Sequence, residues 1–399
     1  MDSVCSMVLA LARSGLLAEP CDFDNSVDWN ALLDIVEFQG IVSEVWRGVR
    51  ISGLNIPEEY ATRLKAGFLR DVRSDRFQRE TLGEVFLRFE NEGIDHLPLK
   101  GVIMKSCYPD PVYRQMSDAD IVIRLSQYPQ IEKIVSECGW SFLYESRHEL
   151  KWKKQNFYIE FHKSATDPGY GSFQQVFGDV FRRAQNVPGT HRYRFSTVDE
   201  YVYQVAHFSK HYMKGGARLR SLSDLYYLLI DRPIENEKEK EELFSLLDEL
   251  GLLRFYNILT ETVMDWMEGR PLGETGEMIF TNVLSELDAL DSTRNLMFKA
   301  AFNAHGKTHL SLSAKLRSMF SVAFLPYSIM AKVYPVLKKA PVLLPFCWIY
   351  RSISTVLFRR TRLKKFVRIF GSDFDDTVGG YMDEVRLLGL ENVVIPEEL

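Results

Sequence analysis

The sequence predicts an α+β protein, a short strand-rich core set inside a largely helical chain. Three observations carry this. Ile121-Val122-Ile123 is a β-branched run of the kind that fills a buried strand. Asn156 to His162 alternates, with Phe157, Ile159 and Phe161 on one face and Tyr158, Glu160 and His162 on the other. On both sides of this region apolar residues recur at helical spacing.

Residues 1–92 read as an N-terminal helical region. Val27 to Trp46 carries Trp29, Leu32, Leu33, Val36 and Trp46 at helical spacing, and Pro57 opens another helix that Gly93 stops. Along that second helix Arg70, Asp71, Arg73, Asp75 and Arg76 alternate in sign, which predicts a solvated face. Residues 93–165 form the αβ core. A strand from Ile94 to Leu99 ends in Lys100-Gly101, and a helix fits Val102 to Tyr108. Ser126 caps a helix that runs to Cys138 and closes at Gly139. Trp140 to Tyr144 and His148 to Lys153 read as a hairpin near the Glu160 strand. Residues 166–290 return to helix and would close the cleft, with Thr197 or Asp199 as a cap and Gly215-Gly216 as a turn. Glu235 to Glu242 reads as a loop and the solvated start of a helix. A basic, apolar helical segment fills 291–372, and an acidic tail that can fold back fills 373–399.

The chemistry gathers around Asp118-Ala119-Asp120. Residues two apart on a strand project to one face, with Cα atoms roughly 6–7 Å apart. Two carboxylates at a strand's start, beside a Gly turn, suit Mg²⁺, which takes oxygen ligands and shares them with substrate phosphates. Glu160 joins them as a third carboxylate if its strand is a neighbour. Gly101, between strand and helix, lets backbone N–H groups approach an anion. His148 and His162 can reach this site, but read first as polar residues at a sheet edge. His207 and His211 share a helix face. Zinc would need further ligands there, and no His-Glu-x-x-His pattern supplies them. The same face can instead line the cleft, with Lys210, Lys214 and Arg218 adding positive charge and Asp224 pairing with Arg218 or another base.

Leu99-Lys100-Gly101, Pro109-Asp110-Pro111, Arg114-x-Met116-Ser117-Asp118-x-Asp120 and Ile159-Glu160-Phe161-His162, in this order, resemble an uncharacterised bacterial nucleotidyltransferase family, a distant branch of the polymerase beta-like nucleotidyltransferase superfamily. The similarity runs from about Trp29 to Leu229. It takes in Phe38-Gln39-Gly40-Ile41, Ile56-Pro57-Glu58 and Arg218-Leu219-x-x-Leu222-x-Asp224. The resemblance implies a small mixed sheet flanked by helices, with two metals, Mg²⁺ or Mn²⁺, on Asp118 and Asp120 and a third acid near the attacking hydroxyl. Glu160 would then bridge a metal or act as general base. Lys100, Gly101, Arg114, Ser117, His207, Lys210 and Arg218 would bind the phosphates of a nucleoside triphosphate, and the acceptor would be a hydroxyl of unknown identity. One departure stands out: the wider superfamily has Gly-Ser where this chain has Lys100-Gly101. Two rival readings remain, a metal-dependent transferase using a sugar nucleotide and a non-catalytic nucleotide-binding scaffold.

Composition bounds the rest. Five scattered cysteines form no CxxC or zinc spacing, which fits a reduced cytoplasmic setting. The apolar N-terminal run is broken at Arg13, which predicts a helix and not a signal peptide. Between Ser292 and Ser372 there is no Asp or Glu, against 15 Lys and Arg, while the whole chain carries −5. Such asymmetry points to an electrostatic partner. The longest uncharged run there, Ser318 to Ala331, is 14 residues and contains Pro326. A membrane span needs about 20. Residues 315–369 therefore read as an interfacial segment at an anionic membrane surface, such as the inner face of the membrane, or as a contact with protein or with the acidic body; nucleic acid is the least favoured partner.

Overall fold

The computed structural model describes residues 1–22, 27–166, 171–285, 294–295, 297–298, 301, 324–325, 327–358 and 374–393. Two compact units emerge. The first comprises Met1–Phe208, Ala217–Leu287 and Val393–Ile395, and the second Ser209–Gly216, Asp288–Asn392 and Pro396–Leu399.

The first unit opens with α1 (Ser3–Leu17), where the Asp2 carboxylate accepts from the Cys5 N–H at 2.7 Å. α2 (Trp29–Gln39) is capped by Asp28. The single helix expected over Val27 to Trp46 is two, because Gly40 sits at φ 69° and α3 (Val42–Ile51) starts afresh. A Cβ at Gly40 would lie 2.5 Å from Gln115 Oε1, so Gly serves both the turn and the approach of the next loop. α4 (Glu58–Glu92) begins after Pro57 and ends at Gly93.

The α4 charges are not all solvated, as their alternation suggested. Asp71, Asp75 and Gln78 are buried on one face. Asp71 accepts from Ser43 Oγ at 2.7 Å and from Gln115 Nε2 at 2.5 Å. Asp75 pairs with Lys105 at 2.7 Å, and Gln78 donates to the Met116 carbonyl at 2.6 Å. Residues 71, 75 and 78 fall at i, i+4 and i+7, one face of the helix. Polar partners arriving from residues 105–116 let that face be buried without orphaned groups.

The sheet uses β1 (His96–Pro98), β2 (Asp118–Ile123), β3 (Ser141–Glu145), β4 (Glu149–Lys154) and β5 (Phe157–His162) in the order β1-β2-β5-β4-β3. Only β2 and β5 pair in parallel, so the sheet is mixed, as expected. Between β1 and β2 lies the short α5 (Gly101–Met104), and before β3 lies α6 (Tyr128–Glu137). Ser126 falls in a 3₁₀ turn and makes no capping bond to α6; Pro129 occupies its first turn instead. Period-two alternation sends Ala119, Ile121, Ile123, Trp152, Ile159 and Phe161 to one face. There they pack with Val85 and Phe89 of α4 and with Ile131, Ile134 and Val135 of α6.

Helices α7 (Gly171–Phe177) and α8 (Val180–Arg183) and a ribbon of β6 (Gln185–Asn186) and β7 (Tyr193–Arg194) lead to α9 (Thr197–Lys214). Ser196 Oγ, not Thr197 or Asp199, caps α9, accepting from the Asp199 N–H at 3.1 Å. α10 (Leu219–Asp231), α11 (Glu237–Glu249), α12 (Leu253–Glu268) and α13 (Glu274–Ser285) complete this unit.

In the second unit, helices Tyr327–Val333, Leu344–Phe358 and Phe374–Leu387 are described. Arg294 clasps Glu384 through two nitrogens, at 2.7 and 3.1 Å, and Tyr212 OH donates to the same carboxylate at 2.7 Å. The acidic tail therefore supplies a partner to a buried base. Among the described residues no helix is long and apolar enough to cross a membrane. Residues 302–323 and 359–373 of the basic segment lie outside the described residues.

Candidate active site

The polar face of the sheet follows from the same register that builds its core. Asp118 stands opposite Tyr158, Asp120 opposite Glu160, and Val122 opposite His162. Paired residues share a face, so Asp118, Asp120, Glu160 and His162 all project away from the core. On β4, Lys151 is the partner of Glu160.

The side chains close into one cluster. Asp120 is buried, and its Oδ1 lies 2.6 Å from His162 Nε2 and 3.1 Å from Lys100 Nζ. The Lys151 ammonium donates to Glu160 Oε1, and His162 Nε2 lies 3.8 Å from Glu160 Oε2. Ser117 Oγ donates to Asp118 Oδ1 at 3.1 Å. Burial alone would raise the Asp120 carboxyl, but Lys100 and the His162 hydrogen bond outweigh it and hold it well below the usual range. Lys100 is held above its ordinary value because Asp120 outweighs its desolvation. At Glu160 burial prevails over the Lys151 hydrogen bond, and its carboxyl is raised.

Asp120, Glu160 and His162 each offer a ligand atom, and these atoms lie within 4.8 Å of one another. This donor set fits a divalent cation. Carboxylate oxygens suit Mg²⁺ and Mn²⁺, and an imidazole nitrogen is compatible with the latter. The Lys100 and Lys151 ammonium groups balance the same carboxylates, so a cation entering here competes with them. His162 thus sits inside the cluster, not simply at a sheet edge as its alternation first read. The fixed register of β5 on β2 puts it two residues beyond Glu160, the next position on the same face.

The backbone at Lys100 is unusual. Its φ of 48° and ψ of −120° match the second position of a type II′ turn, which ordinarily takes Gly. Leu99 O accepts from the Val102 N–H at 3.2 Å across this turn. Gly101 is crowded in its own way, since a Cβ there would lie 2.9 Å from Arg114 Nη1 and 3.0 Å from Met116 Sδ. That crowding accounts for Gly at this position. From this turn the Lys100 ammonium reaches Asp120 Oδ1 at 3.1 Å. Lys100→Ala and Lys100→Gly both remove the charge, but only Gly relieves the strain. Lys100→Gly should therefore be more stable than Lys100→Ala by about 1 kcal/mol in urea unfolding, with both impaired in transfer. Equal stabilities would show that the turn is not strained.

Other expected phosphate contacts are placed differently. Arg114 is buried, and Asp224 takes its fork at 3.0 and 2.7 Å. Tyr108 OH also donates to Asp224, at 2.8 Å. The base that pairs with Asp224 is thus Arg114 and not Arg218; its fork is taken by Asp224, while Asp118 stands within electrostatic reach of it. Arg218 donates to the Phe38 carbonyl at 2.5 Å and stacks over the Phe38 ring, so it joins α10 to α2. His207 stacks on Tyr203, whose phenol lies within electrostatic reach of Lys100. Lys210 belongs to the second unit. Among the described residues, neither His207 nor His211 belongs to a metal-competent group of three.

Two cations escaped the sequence reading. Lys151 needed the hairpin register of β4 on β5. Arg220, half-buried in the first turn of α10, is lowered to about 10 by burial and by Arg114 nearby, while Asp118 and Asp224 pull it upward. Its signal was present as the second base of Arg218-Leu219-Arg220, but α10 had to be placed before Asp118 became its neighbour.

A family model described as "Uncharacterised nucleotidyltransferase" matches residues 25–268. The chain belongs to that family. No curated protein and no solved structure matches it. The family assignment makes the chain a nucleotidyltransferase, a transferase whose substrate is a nucleotide. The matched region holds the entire carboxylate cluster of this nucleotidyltransferase, from Lys100 through His162, together with Arg114 and its partner Asp224.

Proposed function

We propose that this nucleotidyltransferase moves a nucleoside monophosphate from a nucleoside triphosphate to a hydroxyl acceptor, with Mg²⁺ or Mn²⁺ as its metal. The observation that carries the reading is the in-register pairing of Asp120 with Glu160 on parallel neighbouring strands. Asp120 would hold the metal together with Asp118, and Glu160 and His162 lie near enough to Asp120 to complete the donor set. A cation bound there supplies charge neutralisation for the triphosphate and the departing pyrophosphate.

The chain's own residues do the rest. Lys100, held at the edge of the cluster, offers an ammonium to the phosphates. The Ser117 hydroxyl and the half-buried Arg220 add a donor and a positive charge beside Asp118. Glu160 would either bridge that metal or, with its carboxyl raised by burial, take the proton of the acceptor hydroxyl. Lys151 keeps Glu160 oriented. Most of the rate enhancement would come from positioning and electrostatics.

The test is turnover with the four ribonucleoside triphosphates and Mg²⁺ or Mn²⁺, with mass detection of every product. The expected result is pyrophosphate release with an adduct of nucleoside-monophosphate mass, abolished by chelation. With sugar nucleotides offered as donors in place of the triphosphates, release of a nucleoside diphosphate would instead assign sugar transfer. Nucleotide binding without turnover, across a panel of hydroxyl acceptors, would assign a scaffold.

A further inference from the structure

The helix Leu344–Phe358 is apolar on two opposite sides. At about 100° per residue, Leu344, Cys347 and Trp348 share one side. They close a small core with Met330, Ala331 and Leu337, and Trp348 Nε1 donates to the Leu325 carbonyl at 2.8 Å. The other side carries Phe346, Ile349, Tyr350 and Ile353, which are 67, 57, 64 and 52% exposed. Val342, just before the helix, is 78% exposed. Scattered exposed apolar residues need no explanation, but four on one face of two turns do.

The charge of the surrounding chain is a second and independent observation. No acidic residue occurs from Ser292 to Ser372. Lys338 and Lys339 are exposed just upstream of the helix, and six Lys or Arg follow it between Arg359 and Arg368.

We infer that the Phe346–Ile349–Tyr350–Ile353 face docks this nucleotidyltransferase on an anionic lipid surface. A helix of 15 residues is only about 22 Å long, too short for a hydrocarbon core of about 30 Å, so it lies in the plane of the interface. Its exposed side chains enter the acyl boundary, and the flanking bases meet the headgroup phosphates. The Tyr350 ring suits the headgroup depth. A second copy of the chain is a poor occupant, because a symmetric pairing would bring two acid-free, basic segments together. Nucleic acid would use the bases but leave Ile349 and Ile353 without a role.

The inference stands apart from the transfer chemistry and is tested without it. The full chain is sedimented with vesicles of phosphatidylcholine alone and of phosphatidylcholine with phosphatidylglycerol, at low and high salt. The expected result is binding about tenfold or more tighter to the anionic vesicles, weakened by salt. Ile349→Glu/Ile353→Glu should lose about tenfold or more in vesicle affinity with an unchanged melting temperature, since both side chains already face solvent. If that variant melts early, Phe346→Ser and Tyr350→Ser give the same reading singly. Absence of binding, equal binding to neutral and anionic vesicles, or full affinity in the folded variants would overturn the inference. So would a wild-type dimer that becomes monomeric in the variant while neither binds vesicles.

Discussion

Asp120→Asn should leave the sheet folded and lower transfer by about a thousandfold, the scale seen when one preorganised electrostatic group is removed from an active site. Asn keeps the shape and can still accept from His162, but it removes the charge on which three groups converge. Lys100 and His162 both point at Asp120 Oδ1, and Glu160 faces it across the β2–β5 pair. The variant should also need more metal to reach its residual rate. The check is a metal titration of pyrophosphate release, with far-ultraviolet circular dichroism as the control for folding. An Asn variant within threefold or so of wild type would remove Asp120 from the metal site, since a metal carboxylate cannot be so dispensable.

Asp224→Ala should be the most damaging change for stability, at about 3–5 kcal/mol. Arg114 and Asp224 are both buried, and the Asp224 carboxylate outweighs the desolvation of the Arg114 guanidinium and holds it above its ordinary value. Removing Asp224 strands a guanidinium and the Tyr108 hydroxyl without their acceptor. Arg114→Met/Asp224→Leu removes both charges and should recover most of the loss, because an apolar pair of similar volume can replace a buried ion pair. Urea unfolding of the three proteins measures this. A single variant no less stable than the double would show that the pair is not holding the fold. Activity should fall in both variants, because Arg114 lies four residues before Asp118 and positions the chain that delivers it.

The strands and their facing were legible because their signals are local. Alternation over 157–162 is enough to put Glu160 opposite the apolar core, and the β-branched run marks β2. The burial of Asp71 and Asp75 was not legible. A charged helix face looks solvated until the partners from 105–116 are known, and those arrive from distant positions in the chain. Arg114 and Arg218 illustrate the same limit. Both are bases near the family motifs, yet one is spent on Asp224 and the other on Phe38, and only tertiary neighbours decide that. His162 lay between these cases: its face was readable, while its nearness to Asp120 required the parallel register.

That parallel register also governs when the protein can become competent during synthesis. β2 emerges early, but its inner neighbour β5 follows only after α6, β3 and β4 have left the ribosome. Until then β2 offers an unpaired, β-branched edge, a known hazard for misassociation of nascent chains. The bases and carboxylates of the cluster also stay apart until His162 is made, and Arg114 waits longer still for Asp224. A nascent chain halted before α10 would carry every carboxylate of the cluster and still lack the Arg114–Asp224 clasp beside it.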